Sequence, residues 1–197
     1  MFFNKKRKLY DAINSKKIEH IAKIIPPEPE DPNLLGIAWA HLSFLSVKDA
    51  ILISKLDNKI NDSTCFEMSV AASFFIKCAY YAELGFKTDF IEDQYLNSLS
   101  FISNYSNEIT NWKSHDVILD RLNRYNLKSD PVSVAAWFIS CSFSDKNINI
   151  DYKSTRISEF TSIEGVMLAS TLARFCGETA KILHKIVDNF GFDPDTC

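Results

Sequence analysis

Four prolines fall within seven residues, Pro26-Pro27-Glu28-Pro29-Glu30-Asp31-Pro32. Proline has no backbone donor and its ring clashes with the preceding helical turn, so this stretch is neither helix nor central strand. The composition predicts a stiff, extended connector over 26–32. It separates an arm, residues 1–25, from a main domain, residues 33–197. In the arm, Leu9, Ile13, Ile18, Ile21 and Ile25 recur at roughly helical spacing with lysines between them. That pattern predicts an amphipathic helix, with Asn14-Ser15 as its weak point.

Glycine is scarce, at five in 197 residues, against a usual share of about 7%. Tight strand turns and phosphate-cradling loops both draw on glycine, so helices joined by short turns are favoured. Apolar residues make up 46% of the chain, and 15 are Phe. Such a payload excludes disorder for the bulk of the chain and supports a core without disulfides or metal. The expected fold is all-α: a single compact bundle-like domain of about seven helices with an N-terminal amphipathic helical arm.

The main helices are expected over 33–56, 64–84, 89–105, a short segment after Ser114, 130–143 and 161–190. Thr64 with Glu67, and Thr161 with Glu164, fit capping boxes. Gly85 supplies a left-handed stop, and Asp89 fits an N-cap. Asp130-Pro131 fits an N-cap followed by the first helical position, and Gly177 marks a site for a kink. Residues 145–157, with Ile148, Ile150 and Tyr152 alternating, read as a loop, with a minor strand as the alternative. The inward-facing positions are expected to be almost wholly apolar, leaving no reactive polar cluster inside.

The formal net charge is −3, yet residues 1–23 alone carry +5. A weakly acidic chain is a poor general binder of nucleic acid, which is not the expected partner. The candidate partner-binding residues are Lys5, Lys6, Arg7 and Lys8, beside Phe2, Phe3, Leu9 and Tyr10. Three readings follow: a solvated helix start whose apolar side packs on the bundle, a contact with an acidic protein or nucleic acid, or a contact with an anionic membrane surface. The longest uncharged stretch is 16 residues, 32–47. A spanning helix needs about 20, so no transmembrane segment is expected. Leu9–Ile13 is broken by Asp11, so no secretory signal is expected either. Five cysteines, odd in number and without a CxxC pair, suit a reducing, cytoplasmic setting and no cysteine zinc site. The richness in Lys, Asn, Ile, Phe and Ser suggests an AT-rich, bacterial genome.

Motifs for common chemistries are absent: no HExxH, no GxSxG, no Walker loop and no GxGxxG. His115-Asp116, with Asp120 one turn later, carries the only catalytic alternative. A His-Asp pair on helices resembles the metal-binding pattern of the HD phosphohydrolase superfamily. That resemblance implies a divalent ion activating water, with His20 or His41 as the upstream ligand and Asp130 or Asp188 as the downstream one. The simpler reading is an ordinary helix start, where acidic residues complement the dipole. Asp89, Glu92 and Asp93 read the same way. Cys176 and His184 lie two turns apart, about 12 Å on one helix, so Cys176 reads as structural. His41 reads as a core histidine and His184 as solvated.

The functional expectation is a non-enzymatic cytoplasmic protein that acts by binding a protein partner, as an adaptor, regulator or immunity-type inhibitor, without a cofactor. One alternative is the metal-dependent hydrolase using His115 and Asp116. The other is a bundle that holds an apolar small molecule or lipid among Trp39, Phe74, Phe75, Tyr80, Tyr81 and Trp137.

Overall fold

A computed structural model describes residues 2–26, 31, 33–84, 89–110, 114–127, 130–143 and 161–189. Within these segments the side chains at 2–11, 84, 106–110, 114–116, 127 and 189 are outside the description. Among the described residues the chain forms seven α-helices and no strand: α1 Phe2–Ile21, α2 Asn33–Ser54, α3 Asp62–Leu84, α4 Asp89–Thr110, α5 Ser114–Leu127, α6 Pro131–Ser142 and α7 Ile163–Asn189. A single 3-10 turn, Asp57–Lys59, links α2 to α3. The all-α bundle expected from the sequence is therefore present. The 145–157 segment, whose alternation admitted a strand, lies outside the described residues.

α7 is the hub, packed against α2, α3 and α6, while α4 covers α2 and α3. α1 lies on α2 and α7. The arm is thus docked through its C-terminal half, and α1 runs unbroken past Asn14-Ser15. The core joins Trp39, Leu35 and Leu42 of α2 to Met68 and Ile76 of α3, Trp137 and Phe138 of α6, and Phe175 of α7, all fully buried. α2 is apolar around its circumference, as a central helix must be. By length and composition it is the one described helix able to cross a membrane, and half of it is buried inside the bundle.

The helix ends show where local pattern and observed cap agree. Asp130 accepts from the amides of Val132 and Ser133, with Pro131 at the first helical position. These bonds, with that from the Ser133 hydroxyl foremost, hold the Asp130 carboxyl below its usual range. α2 stops at Ser54, two residues short of the expected end. Lys55 there takes a positive φ of 58°, a turn that L-residues adopt at a cost. Two expected caps move. Asn61, not Thr64, caps α3: its Oδ1 accepts from the Thr64 amide at 2.8 Å and the Thr64 hydroxyl at 3.0 Å. Ser162, not Thr161, caps α7, its hydroxyl accepting from the Gly165 amide at 3.0 Å. In each case a neighbouring polar residue, three positions upstream of Thr64 and one downstream of Thr161, supplied the same kind of acceptor and won the position.

α6 and α7 cross closely at Gly165. A Cβ at Gly165 would collide with Ser140 Oγ and sit 2.7 Å from the backbone oxygen of Ala136. Ser140 fills the gap that glycine leaves, donating to Ala136 O at 2.6 Å and accepting from the Ser162 amide at 2.9 Å. At Gly177, by contrast, an added Cβ meets nothing within 4 Å. Gly165→Ala should therefore cost about 1–3 kcal/mol through overpacking. Gly177→Ala should gain up to ~1 kcal/mol in helix propensity. Chemical denaturation of the two variants against the parent chain checks both signs, and a Gly165→Ala chain as stable as the parent would refute the close crossing.

Candidate functional site

The interior holds more charge than the almost wholly apolar space that the sequence suggests. Lys17, Glu67, Lys77 and Arg121 are all buried. Isolated buried charge is costly, so each must bring a partner.

Glu67 of α3 and Arg121 of α5 are exposed by 0% and 2% at their side chains. Arg121 Nε and Nη2 donate to the carboxylate at 2.7–3.1 Å, a forked geometry. The guanidinium also lies 4.1 Å over the Phe138 ring, and its Nη1 reaches Asp120 at 2.8 Å. Glu67, expected in a capping box, is instead the inward anchor of α5. Lys77 of α3 pairs with Glu92 of α4 at 3.2 Å and sits 4.1 Å over the Tyr95 ring. Tyr81 donates to the other Glu92 oxygen at 2.7 Å, and burial together with that bond raises its phenol.

Lys17 holds the arm. Its ammonium meets Asp49 at 3.1 Å and donates to Ser46 Oγ at 3.2 Å and Thr179 Oγ1 at 2.9 Å. One side chain from α1 thus touches α2 and α7 together. Beside it Cys176 is fully buried, and loss of solvent pushes its thiol up to about 12. A thiol so raised stays protonated and unreactive, in line with the structural role read from the sequence.

Of the sequence-proposed residues, those that are described serve separate contacts, apart from His20 and His41, which meet. The side chains of Lys5, Lys6, Arg7, Lys8, His115 and Asp116 lie outside the described residues. Asp120 gives one oxygen to Arg121 and the other to Arg124, at 2.8 and 3.3 Å. Asp130 caps α6, and Asp188 lies 3.5 Å from His184. Among the described residues, no three of His, Cys, Asp and Glu converge on one point. Of the aromatic residues proposed to line a cavity, Trp39, Phe74, Tyr80, Tyr81 and Trp137 meet other rings. Phe74 stacks on Tyr125 at 4.8 Å, Trp39 packs on Tyr80 and Tyr95, and Trp137 packs on Phe138.

Two features that sequence reasoning missed lie where the arm meets the bundle. The first is a groove of about 560 Å³ between the C-terminal half of α1 and that of α7. Ile21, Ile25 and Ile182 form its buried floor, and Ile18 and Ile186 its walls. Lys185 and Asp188 stand at its rim. The isoleucine spacing was visible in the arm, but which of these side chains the bundle would leave open was not. The second feature is a pair of imidazoles. His20 Nε2 of α1 faces His41 Nδ1 of α2 at 3.5 Å, with the ring centroids 5.5 Å apart. His41 also packs on Phe44 and Phe101. Burial, then the neighbouring His20, lowers its pKa, so acidification must charge it against both.

Compared with family models, curated proteins and solved structures, the chain gives no match. The site must therefore be judged on its own geometry.

The Glu67–Arg121 pair generates a test. Arg121→Met should cost about 3–5 kcal/mol by stranding a buried carboxylate. Adding Glu67→Leu should restore most of that loss, because the remaining cost is packing rather than desolvation. A double-mutant cycle by urea denaturation measures the difference, and additive losses would show that the two charges are not coupled.

Proposed function

We propose that this chain is a non-enzymatic, cytoplasmic binding protein that recognises a protein partner through the face formed by α1 and α7. The observation that carries this reading is the open isoleucine groove beside a basic helix. Its walls, Ile18 and Ile186, are at least partly open above a buried aliphatic floor, and concave, mostly apolar sites of this kind are where binding tends to occur. A groove between two helices suits an amphipathic partner helix, whose apolar face supplies anchors at helical spacing.

Charge sets the chemistry of that partner. Residues 1–23 carry a net +5, one charge of which, Lys17, is paired inside with Asp49; Lys16 and Lys23 are exposed on the arm, and Lys185 stands with Asp188 at the groove rim. On the α1 backbone, Lys5–Lys8 lies about 15–20 Å along the axis from Ile18. The partner segment is therefore an acidic amphipathic helix, its apolar side in the groove and its carboxylates towards the arm. Electrostatic complementarity of this kind speeds encounter and fixes orientation. The free cysteines at 65, 78, 141 and 176 suit a reducing compartment. A bacterial source rests on composition alone.

The test is a native pull-down from the source cell with the full chain, run beside Ile18→Asp and Lys185→Glu. Ile18 is 47% exposed, so its replacement leaves the core intact. Recovery of the partner should fall roughly tenfold or more, equivalent to about 1.4 kcal/mol, with an unchanged melting midpoint. Binding to the parent chain should also weaken as salt is raised. A partner that stays bound to Ile18→Asp and ignores salt would overturn the reading, as would the absence of any partner.

A further inference from the structure

The imidazole pair at the α1–α2 contact carries a second inference, independent of the partner reading. A hydrogen bond from a ring N–H to a nitrogen acceptor would sit near 3.0 Å, and the observed 3.5 Å is long for one. Two imidazoles on one tetrahedral ion, with bonds of about 2.0–2.1 Å, place their nitrogens about 3.4 Å apart. The same geometry puts the ring centroids about 5.2 Å apart, beside the observed 5.5 Å. Both separations already match a shared ion to within about 0.3 Å.

We propose that His20 and His41 form a two-imidazole site for a divalent transition ion of the zinc or nickel class, with water completing its coordination. His20 would bind through Nε2 and keep its proton on Nδ1. His41 would bind through Nδ1 and keep its proton on Nε2. Nitrogen ligands select such ions over magnesium and calcium, which need clustered oxygens. Phe44 and Phe101 pack on the His41 ring, which fixes its orientation before an ion arrives. His20 is exposed, so the entry path is open. No third His, Cys, Asp or Glu joins the pair among the described residues, and water can fill the remaining positions.

The placement gives the ion a mechanical role. His20 and His41 are 21 residues apart and lie on opposite sides of the proline-rich connector. An ion shared between them staples the arm to the bundle, adding to the hold of Lys17. Binding to the docked form alone stabilises it by mass action.

The experiment strips the full chain with EDTA, then follows thermal unfolding with Zn²⁺ or Ni²⁺ alone at about 100 µM, against Mg²⁺. The expected result is a midpoint rise of roughly 2–4 °C with Zn²⁺ or Ni²⁺ and none with Mg²⁺. Titration calorimetry should give one ion per chain. His20→Gln, at an exposed position, should abolish the rise while leaving the ion-free midpoint unchanged, and His41→Ala should abolish it too. Cys78→Ser, at the exposed thiol, should leave it intact. No rise in the parent chain, a rise that survives His20→Gln, or a rise lost with Cys78→Ser would each overturn the proposal.

Discussion

The burial of Lys17 decides how the arm sits. Removing an ammonium from water costs several kcal/mol even after the protein relaxes. That cost is offset only where Asp49, Ser46 and Thr179 converge. Since those three groups belong to α2 and α7, only one position and one rotation of α1 satisfy the charge. An apolar stripe alone would allow sliding by a turn, because one isoleucine resembles the next. The lysine removes that freedom. The isoleucine groove and the facing imidazoles both lie on seams that exist only when α1 is docked in this register.

The Glu67–Arg121 pair imposes a similar constraint on α5, the shortest helix but one and a polar one. Beside the buried Ile118 and Tyr125, α5 is held by one guanidinium that forks onto a carboxylate and sits 4.1 Å over the Phe138 ring. Ion pairs of this kind contribute little net stability compared with a well-packed apolar substitute. What they supply is a penalty for every other arrangement. The fold thus assigns bulk stability to the greasy contacts of α2, α3, α6 and α7, and assigns position to three buried cations.

Most of the helical frame was legible in the sequence because its signals are local. Proline after Asp130 marks a start wherever it occurs, and four prolines in seven residues separate two helices whatever surrounds them. Long apolar runs such as Leu34–Leu45 mark a central helix. The site was illegible because it is not local. Thr64 and Glu67 matched a capping motif, but nothing in that motif tells that Asn61 will take the cap and free Glu67 to turn inward. Lys17 looked like any other lysine in a basic arm. His20 and His41 are unremarkable until the chain folds back across the connector and brings their rings together. Pairings between distant helices depend on rotation about each axis, which spacing within one helix does not specify.

The connector is held at both ends. Ile25 is seated in the core, and at the far side Asp31 receives the opening amides of α2, the Asn33 N–H on its carboxylate and the Leu34 N–H on its carbonyl. Any change in its length by insertion or deletion must be absorbed between those two anchors or transmitted as a pull on the arm. Those two seated ends, residues 25 and 31, are the points at which such a change would first be felt.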